Sequence, residues 1–238
     1  MKFSTSLLLL LLIVNFSWAQ KKWFSLYTDS AVEMTAATAM TKKFLADVQK
    51  VSPGTNIKVV PILNTTPYLI YYDGEKGTVN LPIWGKVIDP IKQFFFKLGG
   101  SETEGKRIFG LFFNGFYLPH ELGHALQYTV KGKFSSPYED EVFANQIAIL
   151  WWRKQGRHKE LEQCYQYAKK MYAQLPNPVP AGQRIEEYFG KNYEAAAKDP
   201  FVYGYMQFGQ FINVYEDRSL PNFDSFLQQF LKQQSNIR

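Results

Sequence analysis

The pattern of apolar and polar residues divides the chain into a mixed first part and a helical remainder. The segment Ser30–Val51 is rich in Ala, Met, Lys and Thr, and Asp29 or Ser30 can cap it, which predicts a helix. Three short β-branched and aromatic runs separated by turn residues follow, at residues 57–63, 68–72 and 78–84. Residues 73–77, between the last two runs, predict a hairpin loop. The front part is therefore expected to hold one helix and about three strands.

From residue 89 onward the signals are those of helix boundaries. An Asp-Pro pair at 89–90 favours a helix start, and a Gly-Gly pair at 99–100 favours a stop. Residues 101–104 begin with Ser and end with Glu, which fits a capping box for the next helix. Pro119 is awkward in a helix interior. Either a helix restarts near Gly115, or Pro119 lies in a first turn, where its missing N–H costs little.

The later part of the chain predicts a succession of helices. They are expected at residues 139–154 and 159–174, with two or three more behind them, the last near 223–233. We therefore expect an α+β fold with a small mixed sheet and a helix over about residues 20–100 and a mostly helical part over about 101–238. Together these parts are expected to form one domain, residues 20–238.

Residues 1–19 have the pattern of a secretory signal peptide. Lys2 gives a positive start, residues 7–14 form a short apolar run, and small residues precede a cleavage site predicted after Ala19. An uncleaved anchor is the alternative, but the apolar run is short for a bilayer span. We expect a secreted or periplasmic protein with no membrane span after signal removal.

The composition indicates a globular protein and bears on nucleic-acid binding and on disulfide formation. Aromatic residues make up 17% of the chain, which is typical of a globular protein. The net charge is +6, but the basic residues are scattered, so no nucleic-acid surface is expected. Cys164 is the only cysteine, which excludes an intramolecular disulfide, and its helical context predicts a core position.

The chemistry is concentrated in the His-Glu-Leu-Gly-His segment at residues 120–124. His120 and His124 are four residues apart, so a helix places both imidazoles on one face, where they can share one zinc ion. Glu121 lies near the same face and can act as the general base toward zinc-bound water. Two of the three histidines of the chain lie in this segment, which has the pattern of a zinc metallopeptidase.

A catalytic zinc needs a third protein ligand, and a histidine is a poor candidate. The positions three and six beyond His124 are Gln127 and Val130. His158 is the remaining histidine, and its highly charged neighbours indicate a solvated side chain. A carboxylate from the acidic start of the next predicted helix is the better candidate.

Over residues 116–148 the chain resembles the gluzincin metallopeptidases, in which a downstream helix carries a ligand Glu and, four residues later, an orienting Asp. The resemblance implies a zincin-like fold, Glu141 as the third zinc ligand and Asn145 at the orienting position. Asn145 departs from the pattern because an amide fixes ring orientation but raises ligand basicity less than a carboxylate. Glu139 and Asp140 are rival ligands. Helical geometry favours Glu141 because Asn145 shares its face one turn on.

Two further roles follow from the hypothesis of peptide hydrolysis. The resemblance implies an oxyanion donor from the later helices, and Tyr203 and Tyr205 are the candidates, although aromatic residues at helical spacing are more often core. An extended substrate needs a sheet edge. The run at residues 78–84, which contains Pro82, is expected to supply that edge.

The function expected from the sequence is that of a secreted zinc metallopeptidase, which hydrolyses peptide bonds by Glu121-assisted attack of zinc-bound water. Its partner is then a peptide or protein substrate and not a nucleic acid. The alternative is a catalytically degenerate zincin that acts as a metal- or protein-binding module. A third hypothesis, a helical protein without metal, is disfavoured because a polar cluster on a buried helix is costly without a partner.

Overall fold

The computed structural model describes residues 23–66, 69–134 and 136–235, and it has an α+β fold. The signal peptide expected at residues 1–19 lies outside the described residues, as does the start of the run at 68–72. Across the described ranges, every helix is too short or too polar to span a bilayer.

The front of the described chain is one helix and a three-stranded sheet, as the sequence predicts. Helix α1 is Ser30–Val51, and the side chain of Asp29 caps it by accepting from the N–H groups of Ala31 and Val32. The strands are β1 (Val60–Leu63), β2 (Tyr71–Asp73) and β3 (Thr78–Leu81).

The sheet is mixed, with the strand order β1-β3-β2. Strand β1 runs parallel to β3, with Val60 opposite Thr78. Strand β2 runs antiparallel to β3 through the predicted hairpin loop, with Tyr72 opposite Val79. The prediction that residues 78–84 form a sheet edge is therefore wrong. Strand β3 is central because it pairs on both sides, and Pro82 follows the strand rather than lying in it.

Where the sequence gives bounds for the remaining helices, the observed ones agree to within a few residues, whereas α7 and α8 belong to the group predicted without bounds. They are α2 (Asp89–Gly99), α3 (Glu102–Leu111), α4 (Tyr117–Lys131), α5 (Pro137–Lys154), α6 (His158–Tyr172), α7 (Ile185–Ala196), α8 (Pro200–Glu216) and α9 (Phe223–Ser235). Helix α2 ends at Gly99 and is capped by Gly100, whose φ of 85° is the left-handed conformation that glycine adopts without strain.

Between α3 and α4 the chain makes a π-helical turn, Phe112–Phe116, which has a kink at Asn114. Helix α4 restarts directly after this turn, and Pro119 lies in its first turn. The freed backbone at the kink is used, because the Asn114 carbonyl accepts from the N–H of Phe24. The kink thus sets the direction in which α4 enters the core.

Helices α4 and α5 form the centre of the molecule and run antiparallel. Residue pairs across them, such as His120 with Asn145 and Gln127 with Asp140, move in opposite directions along the two helices. The C-terminal half of α5 carries Trp151 and Trp152, which are fully buried. Cys164 on α6 is also fully buried, which confirms the predicted core position.

Candidate metal centre

Three side chains from α4 and α5 converge on one point. Nε2 of His120 lies 3.0 Å from Oε2 of Glu141, and Nε2 of His124 lies 3.6 Å from the same oxygen. One nitrogen or oxygen atom from each residue lies within 4.8 Å of those of the other two. Such a group of two imidazoles and one carboxylate could hold a metal ion.

A glycine lets the two helices approach closely enough for this group to form. A Cβ atom at Gly123 would lie 3.1 Å from the Cα of Ala144 and 3.3 Å from side-chain atoms of Ile147. The backbone of α4 therefore contacts α5 directly, one residue before His124 and within one turn of Glu141. The glycine inside the motif is explained by this helix packing.

The structure separates Glu141 from the two rival carboxylates. Glu139 is exposed at the start of α5. Asp140 is buried, but it accepts a hydrogen bond of 2.9 Å from the side-chain amide of Gln127 and one of 3.1 Å from the N–H of Ser136. Among these three, Glu141 is the carboxylate that lies with both histidines.

Glu121 is buried beside the candidate metal group and faces the sheet. The backbone of Tyr72, in edge strand β2, lies close enough to this carboxylate to favour its charged form. Burial raises the pKa of Glu121, and the neighbouring His120 and His124 oppose that rise. A carboxyl with a raised pKa that is close to potential metal ligands has the character of a general acid–base group.

Glu141 is surrounded by hydrogen-bond donors from α7 and α8. Its Oε1 accepts from the hydroxyl of Tyr193 at 2.5 Å and from that of Tyr203 at 3.1 Å. Its Oε2 accepts from the amide of Gln207 at 2.6 Å. Burial alone would raise the pKa of Glu141, but the hydrogen bond from His120 and the charge of His124 hold it well below its usual range.

Tyr193 and Gln207 are site residues that the sequence analysis missed. Gln207 lies one turn after Tyr203 on α8 and donates to its hydroxyl at 2.9 Å. This four-residue spacing from the candidate Tyr203 is the sequence signal for Gln207. Tyr193 has no comparable signal, because it lies on a different helix among exposed residues. Tyr205, the other sequence candidate, is not brought to this group; its ring packs on Tyr172, with the ring centres 4.6 Å apart.

The two histidines differ in how their second nitrogen is held. Nδ1 of His120 lies 3.1 Å from Oδ1 of Asn145, so Asn145 occupies the place that the resemblance implies. Nδ1 of His124 has no hydrogen-bond partner among the described residues. Burial would lower the pKa of His124, but its hydrogen bond to Glu141 prevails and raises the pKa to about 9. Such an imidazole favours a positive charge, and a metal cation meets the same preference.

One side of the candidate metal group faces aromatic side chains near the surface. The side chain of His124 is 12% exposed. The ring of Phe134, an exposed residue, lies edge-on to the His124 ring with centres 5.7 Å apart. Phe134 also contacts Tyr128, which in turn contacts Tyr72 of β2. His158 takes no part, since it is exposed at the start of α6.

Comparison of the chain with models of known families, with curated proteins and with solved structures finds no match. The geometry of the site is therefore the ground for the functional proposal.

Proposed function

We propose that the chain is a zinc-dependent hydrolase that acts on peptide bonds. The observation that carries the proposal is the position of Glu121, a buried carboxyl directly beside His120, His124 and Glu141. Two imidazoles and one carboxylate are a ligand set used for catalytic zinc, which keeps one further position for water or substrate. The residues present thus fit the metal in number, type and burial.

When bound, zinc would act as a Lewis acid that lowers the pKa of water and polarises a carbonyl. The proton transfers are carried out by a residue of the chain itself. Glu121 takes the proton of the attacking water as the new C–O bond forms at the carbonyl carbon. It returns that proton to the amine nitrogen as the C–N bond breaks. The raised pKa of Glu121 suits a group that must both accept and donate a proton near neutral pH.

Strand β2 is the part of the sheet that would align an extended substrate. The backbone of Tyr72 lies close to Glu121, and β2 forms one edge of the sheet in the described part of the chain. A peptide that adds to this edge would pass directly over Glu121. This proposal replaces residues 78–84 as the substrate edge.

Tyr203 is the better of the two candidates for stabilising the oxyanion. Its hydroxyl lies at the candidate metal group, whereas Tyr205 packs on Tyr172. Burial raises the pKa of Tyr203 well above its usual range, so its hydroxyl keeps its proton. That proton is donated to Glu141 and would turn to the oxyanion when substrate binds. We expect Tyr203→Phe to lower kcat by more than Tyr205→Phe does, with KM changing less than kcat. Equal effects of the two substitutions would contradict this role.

The test of the function combines metal analysis with peptide cleavage. The full chain, purified without a histidine tag, is expected to bind one zinc ion and to cleave peptides from a diverse library. Glu121→Gln keeps the shape of the side chain and the metal ligands, so we expect zinc to remain bound while cleavage falls by at least about 100-fold. Glu139→Gln is the matched control, because Glu139 is an exposed glutamate on α5. Full activity of Glu121→Gln would refute the assignment.

The same measurements test the alternative of a non-catalytic zincin. Asn145 motivates this alternative, because its amide is uncharged at a position where the related pattern has a carboxylate. One tightly bound zinc ion with no cleavage of any library peptide would support a metal- or protein-binding module. Absence of zinc after reconstitution would refute both proposals.

We further propose that the protein acts outside the cytoplasm, either secreted or periplasmic. The support is the signal-peptide pattern of residues 1–19. N-terminal sequencing of the protein from the exported fraction is expected to begin at Gln20. Recovery of the intact chain from the cytoplasm alone would contradict this.

A further inference from the structure

A chain of three buried side-chain and backbone contacts leads away from His120. Nδ1 of His120 lies 3.1 Å from Oδ1 of Asn145, and Nδ2 of Asn145 donates to Oε1 of Gln210 at 3.2 Å. Nε2 of Gln210 donates to the backbone carbonyl of Tyr138 at 3.1 Å. His120 and Gln210 are each 2% exposed and Asn145 is fully buried, so water cannot easily replace any of these partners.

The last acceptor in this series of contacts, the carbonyl of Tyr138, decides which partner donates in every hydrogen bond of the series. The carbonyl of Tyr138 can only accept, so Gln210 must turn its NH₂ group toward it. The oxygen of Gln210 then faces Asn145, which must turn its own NH₂ group toward Gln210. The oxygen of Asn145 is therefore left for His120, whose Nδ1 must carry the proton. The tautomer of His120 is thus set by a backbone carbonyl three contacts away.

We propose that Gln210 is a positioning residue that, through Asn145, holds His120 in the tautomer with the proton on Nδ1. In that tautomer the lone pair of Nε2 points to Glu141 and to the centre of the candidate metal group. This arrangement prepares Nε2 to bind a cation. In the metal-free protein, Nε2 makes its hydrogen bond to Glu141 by taking up a second proton. The inference rests on the proposed metal site, but its main test does not require the metal.

This role also explains why residue 145 is an amide. Its side chain must accept from His120 and donate to Gln210, and an amide does both. A carboxylate there would place an acceptor oxygen against Oε1 of Gln210 in a fully buried position, which is costly. The departure from the gluzincin pattern is therefore matched by Gln210 and by the Tyr138 carbonyl, two contacts that the pattern does not contain.

Gln210→Met tests the role because methionine fills a similar volume without the two hydrogen bonds. Asn145 could then turn over and donate to Nδ1 of His120, and the ring proton would move to Nε2, where Glu141 accepts it at 3.0 Å. Gln210→Glu is the conservative variant with its buried carboxyl protonated, since the O–H can donate to the Tyr138 carbonyl while the other oxygen accepts from Asn145. Gln127→Met is the control, because Gln127 is also a buried amide, but its NH₂ donates to Asp140.

The primary measurement is the ¹⁵N shift of the histidine ring nitrogens in metal-free protein, at a pH where the rings are neutral. The chain has three histidines, so His158→Gln and His124→Gln complete the assignment of His120. We expect the Nδ1–H tautomer in the native protein, in Gln210→Glu and in Gln127→Met, and a shift toward Nε2–H in Gln210→Met. The Nε2–H tautomer in the native protein would overturn the proposal without any variant, as would an unchanged tautomer in Gln210→Met.

Zinc affinity, measured by competition with a chelator, gives the second readout. We expect about 10- to 100-fold weaker binding in Gln210→Met, with Gln210→Glu and Gln127→Met close to the native protein. A loss of the same size in Gln127→Met would show that any lost buried amide weakens the site, and would overturn the specific role of Gln210. A native chain that binds no zinc would refute the proposed function, while the tautomer of the metal-free protein would still decide the role of Gln210.

Discussion

Two buried carboxylates, Glu141 on α5 and Glu33 on α1, have opposite environments. Glu141 accepts from two tyrosine hydroxyls and one amide and lies beside two histidines. Glu33 is 2% exposed, and its Oε1 accepts from the side-chain amide of Asn114 at 2.9 Å. Its Oε2 has no hydrogen-bond partner among the described residues. Both residues are buried, but they differ in the number of groups that can stabilise a negative charge.

The difference in donors decides the charge of each carboxylate. Glu141 is held ionised, because the hydrogen bond from His120 and the charge of His124 overcome the burial that would raise its pKa. Burial raises the pKa of Glu33 to about 8, and the bond from Asn114 opposes this only in part. Near neutral pH the chain therefore has one carboxylate prepared to bind a cation and one that is mostly protonated. Burial alone therefore does not decide whether a glutamate is ionised; the donors around it do.

The strongest test of this contrast removes the charge of Glu141. Glu141→Gln keeps the shape but replaces the anionic ligand by a neutral amide, so we expect zinc affinity to fall by more than about 100-fold. Glu33→Gln, a matched substitution at the other buried carboxylate, is expected to leave zinc affinity close to the native value. Competition with a chelator measures both. Equal zinc affinity in the native protein and in Glu141→Gln would contradict the assignment of Glu141 as a ligand.

The second test uses the pH dependence of stability. The pKa of Glu33 is raised from 4.5 to about 8 in the folded state, so the folded state holds its proton after the unfolded state has lost it. The stability that this proton gives is complete below about pH 4.5 and is lost as the pH rises to about 8. The slope in that window reaches at most about 1.4 kcal/mol per pH unit.

The Glu33→Gln variant has no titratable group at position 33. Its comparison with the native protein therefore isolates the contribution of the Glu33 proton to the free energy of unfolding. Urea unfolding of the metal-free native protein and of this variant, in parallel over pH 4 to 9, gives the difference in free energy of unfolding. We expect the variant to gain stability relative to the native protein as the pH rises, with the gain levelling off above about pH 8. Two parallel curves would show that Glu33 has an ordinary pKa in the folded protein.

The fold shows which features the sequence predicts and which it does not. Elements that depend on neighbouring residues are predicted well: α1 begins after Asp29, α2 ends at Gly99, and the loop at residues 73–77 joins two antiparallel strands. The order of the strands is not predicted, because the parallel pairing of β1 with β3 joins segments that no local pattern connects. The sequence therefore predicts the edge at β3, which is the central strand.

In the candidate site, too, residues close in sequence are predicted and residues distant in sequence are not. His120, Glu121 and His124 share one helical turn, and Glu141 and Asn145 share the next helix, so spacing places the residues within each helix. The expectation that the two sets meet comes from the resemblance to gluzincins. The residues that surround Glu141 come from α7 and α8, more than 50 positions away. Glu33 has no spacing signal either, because it contacts Asn114 across 81 positions of sequence. Such long-range polar contacts are visible only after the helices are packed.

The smallest effects come from removing a single donor in each region. Asn114→Ala takes away the amide that bonds Glu33 and the oxygen that accepts from the N–H of Tyr27, so we expect a loss of about 1–3 kcal/mol. Tyr193→Phe removes one hydroxyl from Oε1 of Glu141, but Tyr203 still donates to that oxygen, so the expected loss is below about 1 kcal/mol. Urea unfolding at pH 7 compares the two. A larger loss in Tyr193→Phe would mean that the donors around Glu141 act as one cooperative network rather than as separate partners.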